Sequence, residues 1–246
     1  HDDIMDNAPI RRGKATVHEK WNVNTAILSG DVMLVKVYDL FAALDEKKLK
    51  SVLPLFNRCA AEVCEGQQWD MEFETKSRVS EAQYIDMIRL KTAVLLGFSL
   101  ELGALLADAT EEERTSLKEF GVNIGIGFQL KDDLLDVYAD KGKFGKQVGG
   151  DILANKKTFL LIKALEKAKG KTKQELIKWL SIKKFNKQQK VKSITAMYDS
   201  LGIPLLADKK IEDYFSKGFD SLNKIKSSER KDQLIDFTNN LIKRQS

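Results

Sequence analysis

Two short aspartate motifs offer the clearest chemistry in this 246-residue chain. They are DDIMD, with Asp2, Asp3 and Asp6, and DDLLD, with Asp132, Asp133 and Asp136. In each motif the first and last aspartates are four residues apart, so on a helix their carboxylates lie on one face. Carboxylates at that spacing repel one another unless a cation lies between them. The motifs therefore indicate either a solvated acidic face or a pair of metal sites.

The ligand types favour one metal over others. Carboxylate oxygens without histidine or cysteine partners suit Mg²⁺, which usually completes its octahedron with water and substrate phosphate oxygens. The chain has only two histidines and two cysteines, too few at ligand spacing for zinc, and it lacks the Glu-x-x-His pairs of a di-iron bundle. Because the acidic motif occurs twice, we favour a metal and diphosphate site over an acidic face.

Basic residues follow both acidic motifs closely. Arg11 and Arg12 come soon after DDIMD, and the segment KGKFGKQVGGDILANKK, which contains Lys146 and Lys156, follows DDLLD. Arg11 and Arg12 could form a salt bridge with Asp6, or they could bind phosphate beside the metal. We favour the phosphate-binding interpretation.

The elements that carry these residues are predicted to be long helices. Apolar residues recur at intervals of three and four over residues 25–44, 49–72, 80–109 and 110–140, and the first of these segments has the pattern of a largely buried helix. Ser80 and Thr110 are predicted N-caps, and Asp45 gives the second helix an acidic start. Since no strand shows convincing alternation, the sequence predicts an all-α bundle of long helices around a deep centre.

Three glycines, at positions 121, 125 and 127, interrupt the apolar stretch of the fourth helix. Each costs about 1 kcal/mol of helix stability relative to alanine. Close packing of another helix, or close approach of a ligand, would offset that cost.

Composition limits the remaining functions. Residues 151–246 contain 22 Lys and Arg against 11 Asp and Glu, a net charge of +11, whereas residues 1–150 carry −6. The lysines are spread through apolar periodicity with few aromatics, so we predict a solvated helix face and no nucleic-acid partner. No apolar run is long enough to predict a membrane span. Cys59 and Cys64 are predicted to be reduced thiols of a cytoplasmic protein.

The chain resembles the trans-prenyltransferases, the isoprenyl diphosphate synthases that make geranyl, farnesyl, geranylgeranyl and longer diphosphates. The resemblance rests on both aspartate motifs and on RRGKATVHEKW, SGD, EGQQWDMEFE, RLKTAVLL, GFQLKDDLLDV and GKQVGGDILANKKT, in the family's order over residues 1–165. It implies the isoprenoid synthase fold, an all-α bundle of long antiparallel helices around a deep central cavity. We expect a single domain over residues 1–246 and a cytoplasmic homodimer.

The same resemblance implies roles for individual residues. The expected metal ligands are Asp2 and Asp6 for two Mg²⁺ ions, and Asp132 with help from Asp136 for a third; Mn²⁺ can substitute. The expected substrate-binding residues are Arg11, Lys91 and Lys146 for the allylic diphosphate, Arg12 for isopentenyl diphosphate, and Lys156 around the third metal's phosphates. Thr92 and Gln129 are expected beside the reacting carbons, and Lys91 and Lys146 to serve catalysis as well as binding. Asp70 and Asp151 are expected near the metals.

The implied reaction joins isopentenyl diphosphate head-to-tail to dimethylallyl, geranyl or farnesyl diphosphate. DDIMD lacks the longer insertion of many bacterial farnesyl synthases, and we expect a C15 to C20 product. The alternatives are a long-chain synthase and, less favoured, a non-catalytic partner subunit or a terpene cyclase, which has a different metal triad where this chain has DDLLD. Family members carry helices with a Gly-Lys-x-x-Arg segment ahead of the first motif, so we expect the chain to be N-terminally incomplete.

Overall fold

A computed structural model describes residues 1–139 and 149–243. Those residues form helices almost throughout, so the all-α prediction is confirmed. In chain order the elements are α1 (Asp2–Met5), β1 (Ile10–Arg11), β2 (Lys14–Ala15), α2 (Val17–Lys20), α3 (Val23–Ala42), α4 (Glu46–Thr75), α5 (Glu81–Ile88), a π-helical turn (Arg89–Ala93), α6 (Val94–Leu106), α7 (Glu111–Tyr138), α8 (Gly150–Ala154), α9 (Phe159–Lys167), α10 (Gly170–Ser181), α11 (Lys187–Ser200), α12 (Ile203–Asn223) and α13 (Glu229–Lys243).

The chain divides into two compact units, residues 1–58 and residues 59–246. Helix α4 contains residues of both units. It begins at Glu46, directly after the predicted acidic start at Asp45, whose carboxylate accepts a hydrogen bond from the Lys48 backbone amide at 2.9 Å. Pro54 lies in the interior of α4, past the first turn. The single-domain assignment and the central cavity stay predictions.

The first unit contains a small antiparallel hairpin that the sequence did not predict. Ile10 pairs with Ala15 and Arg11 with Lys14, so the turn consists of two residues. Arg12 has φ +53° and Gly13 has φ +74°, the pair of positive angles that a type I′ turn requires. Glycine adopts this conformation freely, whereas arginine does so at a cost of about 1 kcal/mol. The strained residue is one of the predicted substrate ligands.

Helix α3 departs from its predicted burial. Only Ala26 and Phe41 are buried among its 20 residues, and nine large apolar side chains are exposed. These exposed residues are Val23, Ile27, Leu28, Val32, Met33, Leu34, Val35, Tyr38 and Leu40. The prediction of a largely buried helix is therefore wrong for this chain by itself, because periodicity reports how apolar a helix is and not what covers it.

In the second unit, α5 starts at the predicted cap. Ser80 and Gln83 form a reciprocal capping box, in which the Ser80 hydroxyl accepts from the Gln83 amide and the Gln83 side chain accepts from the Ser80 amide. The predicted uninterrupted helix is broken by the π-helical turn, which separates α5 from α6 and carries Lys91 and Thr92. π-Helical turns are rare and frequently lie at functional sites.

Helix α7 lies at the centre of the second unit and packs against α6 and α12. Thr110 and Glu113 cap it as predicted. A Cβ added at Gly121 would lie 2.8 Å from the Leu96 carbonyl oxygen, and one at Gly125 would lie 2.7 Å from the Ala93 Cα. Close helix packing therefore explains these glycines, and it brings the π-helical turn against α7.

The core of the second unit lies between α5, α7, α9, α11 and α12. Its fully buried large side chains are Tyr84, Phe120, Leu130, Phe159, Leu160, Leu176, Ile194, Ile203 and Leu222. Burial of such side chains stabilises the unit by about 1.5–3 kcal/mol each, before the loss of chain entropy is counted. None of the helices in the described ranges is long and apolar enough to cross a membrane.

Candidate active site

The second aspartate motif lies near the C-terminal end of α7, and its three aspartates differ in how deeply they are buried. Asp132 and Asp136 are half-buried, one helical turn apart, whereas Asp133 is 5% exposed. The Asp133 carboxylate accepts one hydrogen bond from the Tyr84 hydroxyl and another from the Gln129 side-chain amide, at 3.4 Å. The outer two aspartates remain positioned to bind a cation, and the middle one serves as a buried acceptor.

The charge state of Asp133 depends on this burial. Loss of solvent and the nearby negative charge of Asp151 raise the pKa of Asp133 to about 7, although the hydrogen bond from Tyr84 opposes the rise. Burial likewise raises the pKa of Tyr84, so the phenol keeps its proton and remains the donor. The pair fixes the position of α5 relative to α7 through one polar contact.

Gln129 connects this buried pair to Thr92. Its amide nitrogen donates to Asp133, and its carbonyl oxygen accepts from the Thr92 hydroxyl at 3.3 Å. The donation to Asp133 determines which way the amide is turned. The carbonyl oxygen is therefore directed towards the π-helical turn, where Thr92 lies beside Lys91.

Lys91 and Lys156 share one carboxylate. Lys91 Nζ lies 2.7 Å from Asp70 Oδ2, and Lys156 Nζ lies 3.6 Å from the same oxygen. Asp70 comes from α4, Lys91 from the π-helical turn and Lys156 from the segment after α8, so three distant parts of the chain meet here. Ammonium groups are donors that phosphate oxygens accept, so the two lysines are suited to binding phosphate.

Close packing of backbones places Lys91 within this cluster. A Cβ added at Gly66 would lie 2.2 Å from the Lys91 backbone nitrogen, so only glycine lets α4 approach the π-helical turn this closely. Asp70 follows Gly66 by one helical turn on the same face of α4. The EGQQWD segment therefore supplies both the contact and the carboxylate.

Asp136 connects α7 to α8. Its carboxylate accepts from the Asp151 backbone amide at 3.0 Å, and its backbone carbonyl accepts from the Gly149 amide. Gly149 has φ +86°, and a following residue, Asn155, has φ +55°. These two left-handed residues bound α8, so that Asp151 and Lys156 both lie near the end of α7.

The first aspartate motif belongs to the other compact unit and is built from local contacts. Asp2 lies on the one-turn helix α1, and Asp6 caps its C-terminus. Arg11 Nε donates to Asp3 at 2.7 Å, and Arg11 Nη2 lies 3.2 Å from Asp2. The hydrogen bond to Asp3 raises the pKa of Arg11. The salt-bridge alternative considered for Arg11 thus occurs, with Asp2 and Asp3 as partners.

The donor sets fit Mg²⁺ by their chemistry. The aspartates of both motifs supply hard oxygen atoms. Within residues 1–139 and 149–243, no three His, Cys, Asp or Glu side chains converge as a complete cage. Mg²⁺ commonly uses one or two carboxylates and takes its remaining ligands from water and phosphate.

The structure brings several predicted residues together within the second unit: Lys91, Thr92, Gln129, Asp132, Asp136 and Lys156. Lys146 lies outside the described residues, and Arg11, Arg12, Asp2 and Asp6 belong to the first unit. Sequence reasoning missed two members of the site. The sequence indicated no role for the Tyr84 hydroxyl, which bonds Asp133, and none for Asp133 apart from its place in the motif. A separation of 49 residues left no sequence signal for that contact.

The chain belongs to the polyprenyl synthetase family, whose family model matches residues 1–198. It is 43% identical over 202 residues to a short chain isoprenyl diphosphate synthase of Methanocaldococcus jannaschii, covering 82% of this chain and 62% of that protein. A geranylgeranyl diphosphate synthase of Sulfolobus acidocaldarius is 39% identical, with 92% of this chain and 69% of the relative covered.

The fold comparison agrees with the family. A crystal structure of a geranylgeranyl pyrophosphate synthase matches with a TM-score of 0.93 and 42% identity, covering all of this chain and 76% of that one. The predicted family and the isoprenoid synthase fold are therefore confirmed. The chain spans roughly two thirds of the length of the relatives it matches.

Proposed function

We propose that the protein is a short-chain isoprenyl diphosphate synthase, a prenyltransferase that joins isopentenyl diphosphate head-to-tail to an allylic diphosphate. The products would be an all-trans C15 to C20 diphosphate and pyrophosphate. The observation that carries the proposal is the arrangement in the second unit, where the Lys91, Asp70 and Lys156 cluster adjoins the Thr92 and Gln129 pair. Members of the family use isoprenoid diphosphates as substrates.

Membership of the family also implies a requirement for divalent metal. We assign three Mg²⁺ ions to Asp2, Asp6, Asp132 and Asp136, and Mn²⁺ can substitute for them. Metal ions held by these aspartates would supply positive charge against the diphosphate leaving group. Ionisation of the allylic C–O bond needs no serine or cysteine nucleophile, and we assign none.

The cationic side chains of the site would bind the diphosphate groups of the two substrates. Lys91, held beside Asp70, would release that carboxylate and bind the allylic diphosphate together with Arg11 and Lys146. Lys156, near the same carboxylate, would bind the phosphates around the third metal. Arg12, strained at its turn, would bind isopentenyl diphosphate. Fixed cations that meet the diphosphate oxygens lower the barrier because the negative charge grows there during C–O cleavage.

The neutral side chains of Thr92 and Gln129 suit the allylic carbocation, which is the positively charged part of the ionised substrate. The allylic carbocation needs groups that stabilise positive charge without attacking it and without admitting water. Thr92 and Gln129 offer oxygen atoms of this kind, and the hydrogen bond from Gln129 to Asp133 keeps the amide from turning over. We assign proton removal in the last step to the released pyrophosphate and to no side chain.

The proposed product length follows the names of the relatives. A short chain isoprenyl diphosphate synthase and a geranylgeranyl diphosphate synthase are both about 40% identical to this chain. A long-chain product is less favoured. A non-catalytic partner subunit is also less favoured, because the acidic and basic residues that the resemblance assigns within residues 1–246 are intact.

For the assembly we propose a homodimer in the cytoplasm. The apolar residues exposed along α3 extend around much of the helix, as is typical of a helix covered in an assembly. A second copy is the occupant we propose. Cys59 and Cys64 are free thiols, which suits a reducing compartment. The proposed partners do not include nucleic acid.

The test is product analysis. The full-length protein would be incubated with Mg²⁺, isopentenyl diphosphate and, separately, dimethylallyl, geranyl or farnesyl diphosphate, and the chain length of each product measured. We expect growth to C15 or C20 and loss of activity with a chelator. The absence of chain growth in every mixture, with binding of Mg²⁺ and pyrophosphate intact, would refute the synthase assignment. Products longer than C20 would support the long-chain alternative.

A further inference from the structure

The second unit carries a strongly basic surface that the proposed reaction does not use. Residues 167–192 contain ten lysines, one glutamate and no arginine or aspartate. One of the ten, Lys190, is fully buried. The other nine are exposed, and we call them the lysine surface: Lys167, Lys169, Lys171, Lys173, Lys178, Lys183, Lys184, Lys187 and Lys192.

The lysine surface is not neutralised by the protein. Among the described residues, no carboxylate forms an ion pair with any of its nine ammonium groups. Lysines elsewhere in the same unit do pair: Lys163 and Lys210 lie 2.8 Å and 2.6 Å from the Glu81 carboxylate. Nine unpaired cations close in sequence generate a positive potential that attracts an anionic partner.

The lysines belong to neighbouring elements. Helix α10 supplies three of them, α11 supplies two, and the remainder lie at the end of α9 and in the connections. Lys171 and Lys178 of α10 line the same surface groove as Gln189 and Ser193 of α11. Since α10 and α11 pack together, the charges are shared by one face of the unit.

An apolar side chain lies within this charged face. Ile177 is 49% exposed, whereas the adjacent Leu176 is fully buried in the core, so Ile177 points away from the unit. It is four residues from Lys173 and next to Lys178, which places it among the ammonium groups. An exposed apolar residue surrounded by lysines can enter the headgroup region of a bilayer while the lysines contact lipid phosphates.

The composition favours a lipid surface over nucleic acid. Nucleic-acid sites commonly use arginine, which binds phosphate in a bidentate manner and stacks on bases, and the segment has none. An anionic bilayer instead presents diffuse charge, for which flexible lysines suffice, and clusters of four to eight basic residues on an amphipathic helix are typical of binding to anionic lipid. We propose that the lysine surface docks the protein on membranes that contain anionic lipids.

The experiment is co-sedimentation of the protein with vesicles. One set would contain phosphatidylcholine alone, and the other an equimolar mixture of phosphatidylcholine and phosphatidylglycerol. We expect binding only to the anionic vesicles at about 0.05 M NaCl, and release at about 0.5 M NaCl as the charges are screened. Failure to bind the anionic vesicles at low salt would overturn the proposal.

Charge reversal locates the binding surface. The test variant carries Lys171→Glu, Lys173→Glu and Lys178→Glu, and the control carries Lys47→Glu, Lys209→Glu and Lys226→Glu, three exposed lysines outside the surface. Both variants lose the same net charge. Because each lysine near an anionic bilayer contributes about fivefold to partitioning, we expect the test variant to bind about a hundredfold more weakly and the control nearly as well as the parent. Equal loss in both variants would show that net charge alone drives binding and would overturn the proposal.

Two further measurements separate the alternatives. Ile177→Ser should weaken vesicle binding severalfold, whereas Leu205→Ser, which removes an exposed leucine on α12, should not. Tighter binding to duplex DNA than to anionic vesicles at the same salt would assign the surface to nucleic acid and contradict the proposal. Sedimentation needs no turnover, and prenyl transfer in solution should be unchanged by the test variant, so this proposal and the proposed reaction fail independently.

Discussion

The two aspartate motifs have nearly the same sequence but very different structural support. DDIMD begins on a one-turn helix that has no buried side chain, and its observed partner, Arg11, is only a few residues away. DDLLD lies within a 28-residue helix, and its middle aspartate is buried against Tyr84 from another helix. The same residue types can therefore be held by local contacts in one place and by the packed core in another. Two similar motifs need not contribute equally to stability.

The largest expected effect tests whether the motifs are chemically equivalent. Asp2→Ala and Asp132→Ala should each lower kcat/KM for prenyl transfer about a thousandfold, because each removes a carboxylate that we assign to a metal ion. Steady-state kinetics would measure the loss, and thermal unfolding would establish that both variants remain folded. Near-normal activity in either variant would remove that motif from the site.

The next largest effect concerns glycines near each motif. Gly125→Ala should destabilise the protein by about 3 kcal/mol, because the new Cβ would lie 2.7 Å from the Ala93 Cα and force α7 away from the π-helical turn. Gly13→Ala is the matched change in the hairpin, where no atom lies within 4 Å and only the positive φ is penalised, at about 1 kcal/mol. Denaturant unfolding measures both. Equal losses of stability in the two variants would contradict the conclusion that the region of DDLLD is more tightly packed than the region of DDIMD.

The hydrogen bonds of the motifs themselves give a smaller difference. Tyr84→Phe leaves the buried Asp133 carboxylate without its donor and should lower the free energy of unfolding by about 2 kcal/mol. Arg11→Gln breaks an exposed ion pair and should cost about 0.5 kcal/mol, since water screens such pairs. If Tyr84→Phe were as stable as the parent protein, the buried Asp133 carboxylate would not need the hydrogen bond from the Tyr84 hydroxyl of α5.

The smallest expected effect concerns the ion pairs of Glu81 at the start of α5 and how their contribution to the free energy of unfolding changes with pH. Glu81 binds Lys163 of α9 and Lys210 of α12, and although burial opposes them, these bonds lower the pKa of Glu81. A lowered folded-state pKa stabilises the protein above the unfolded-state value, about 4.3, and the contribution disappears as pH falls through the folded-state value. Glu81→Gln should therefore cost about 0.5 kcal/mol at pH 7 and progressively less as the pH falls below about 4.3. If the loss of stability in Glu81→Gln did not change with pH, the ion pairs of Glu81 would not be its cause.

Features determined by neighbouring residues were predictable from sequence. Ser80 and Thr110 cap their helices as expected, because a capping box involves only four consecutive residues. The Lys91 and Gln129 assignments came from resemblance, and their contacts with Asp70 and Thr92 were invisible because they join separate helices. The hairpin was missed because Arg12 is an unusual residue for positive φ. The exposure of α3 was missed because the sequence does not say what covers an apolar helix.

The π-helical turn has a consequence for how the sequence can change. Relative to a regular α-helix, a π-helical turn accommodates one additional residue in its hydrogen-bonded ring. Deleting one residue from Arg89–Ala93 would restore regular α-helical winding and remove the wide turn that carries Lys91 and Thr92. Lys91 and Thr92 would then lose the backbone positions from which they contact Asp70 and Gln129. The length of this segment, and not only its residue types, is therefore under constraint, and a one-residue deletion should be less tolerated here than in an exposed loop.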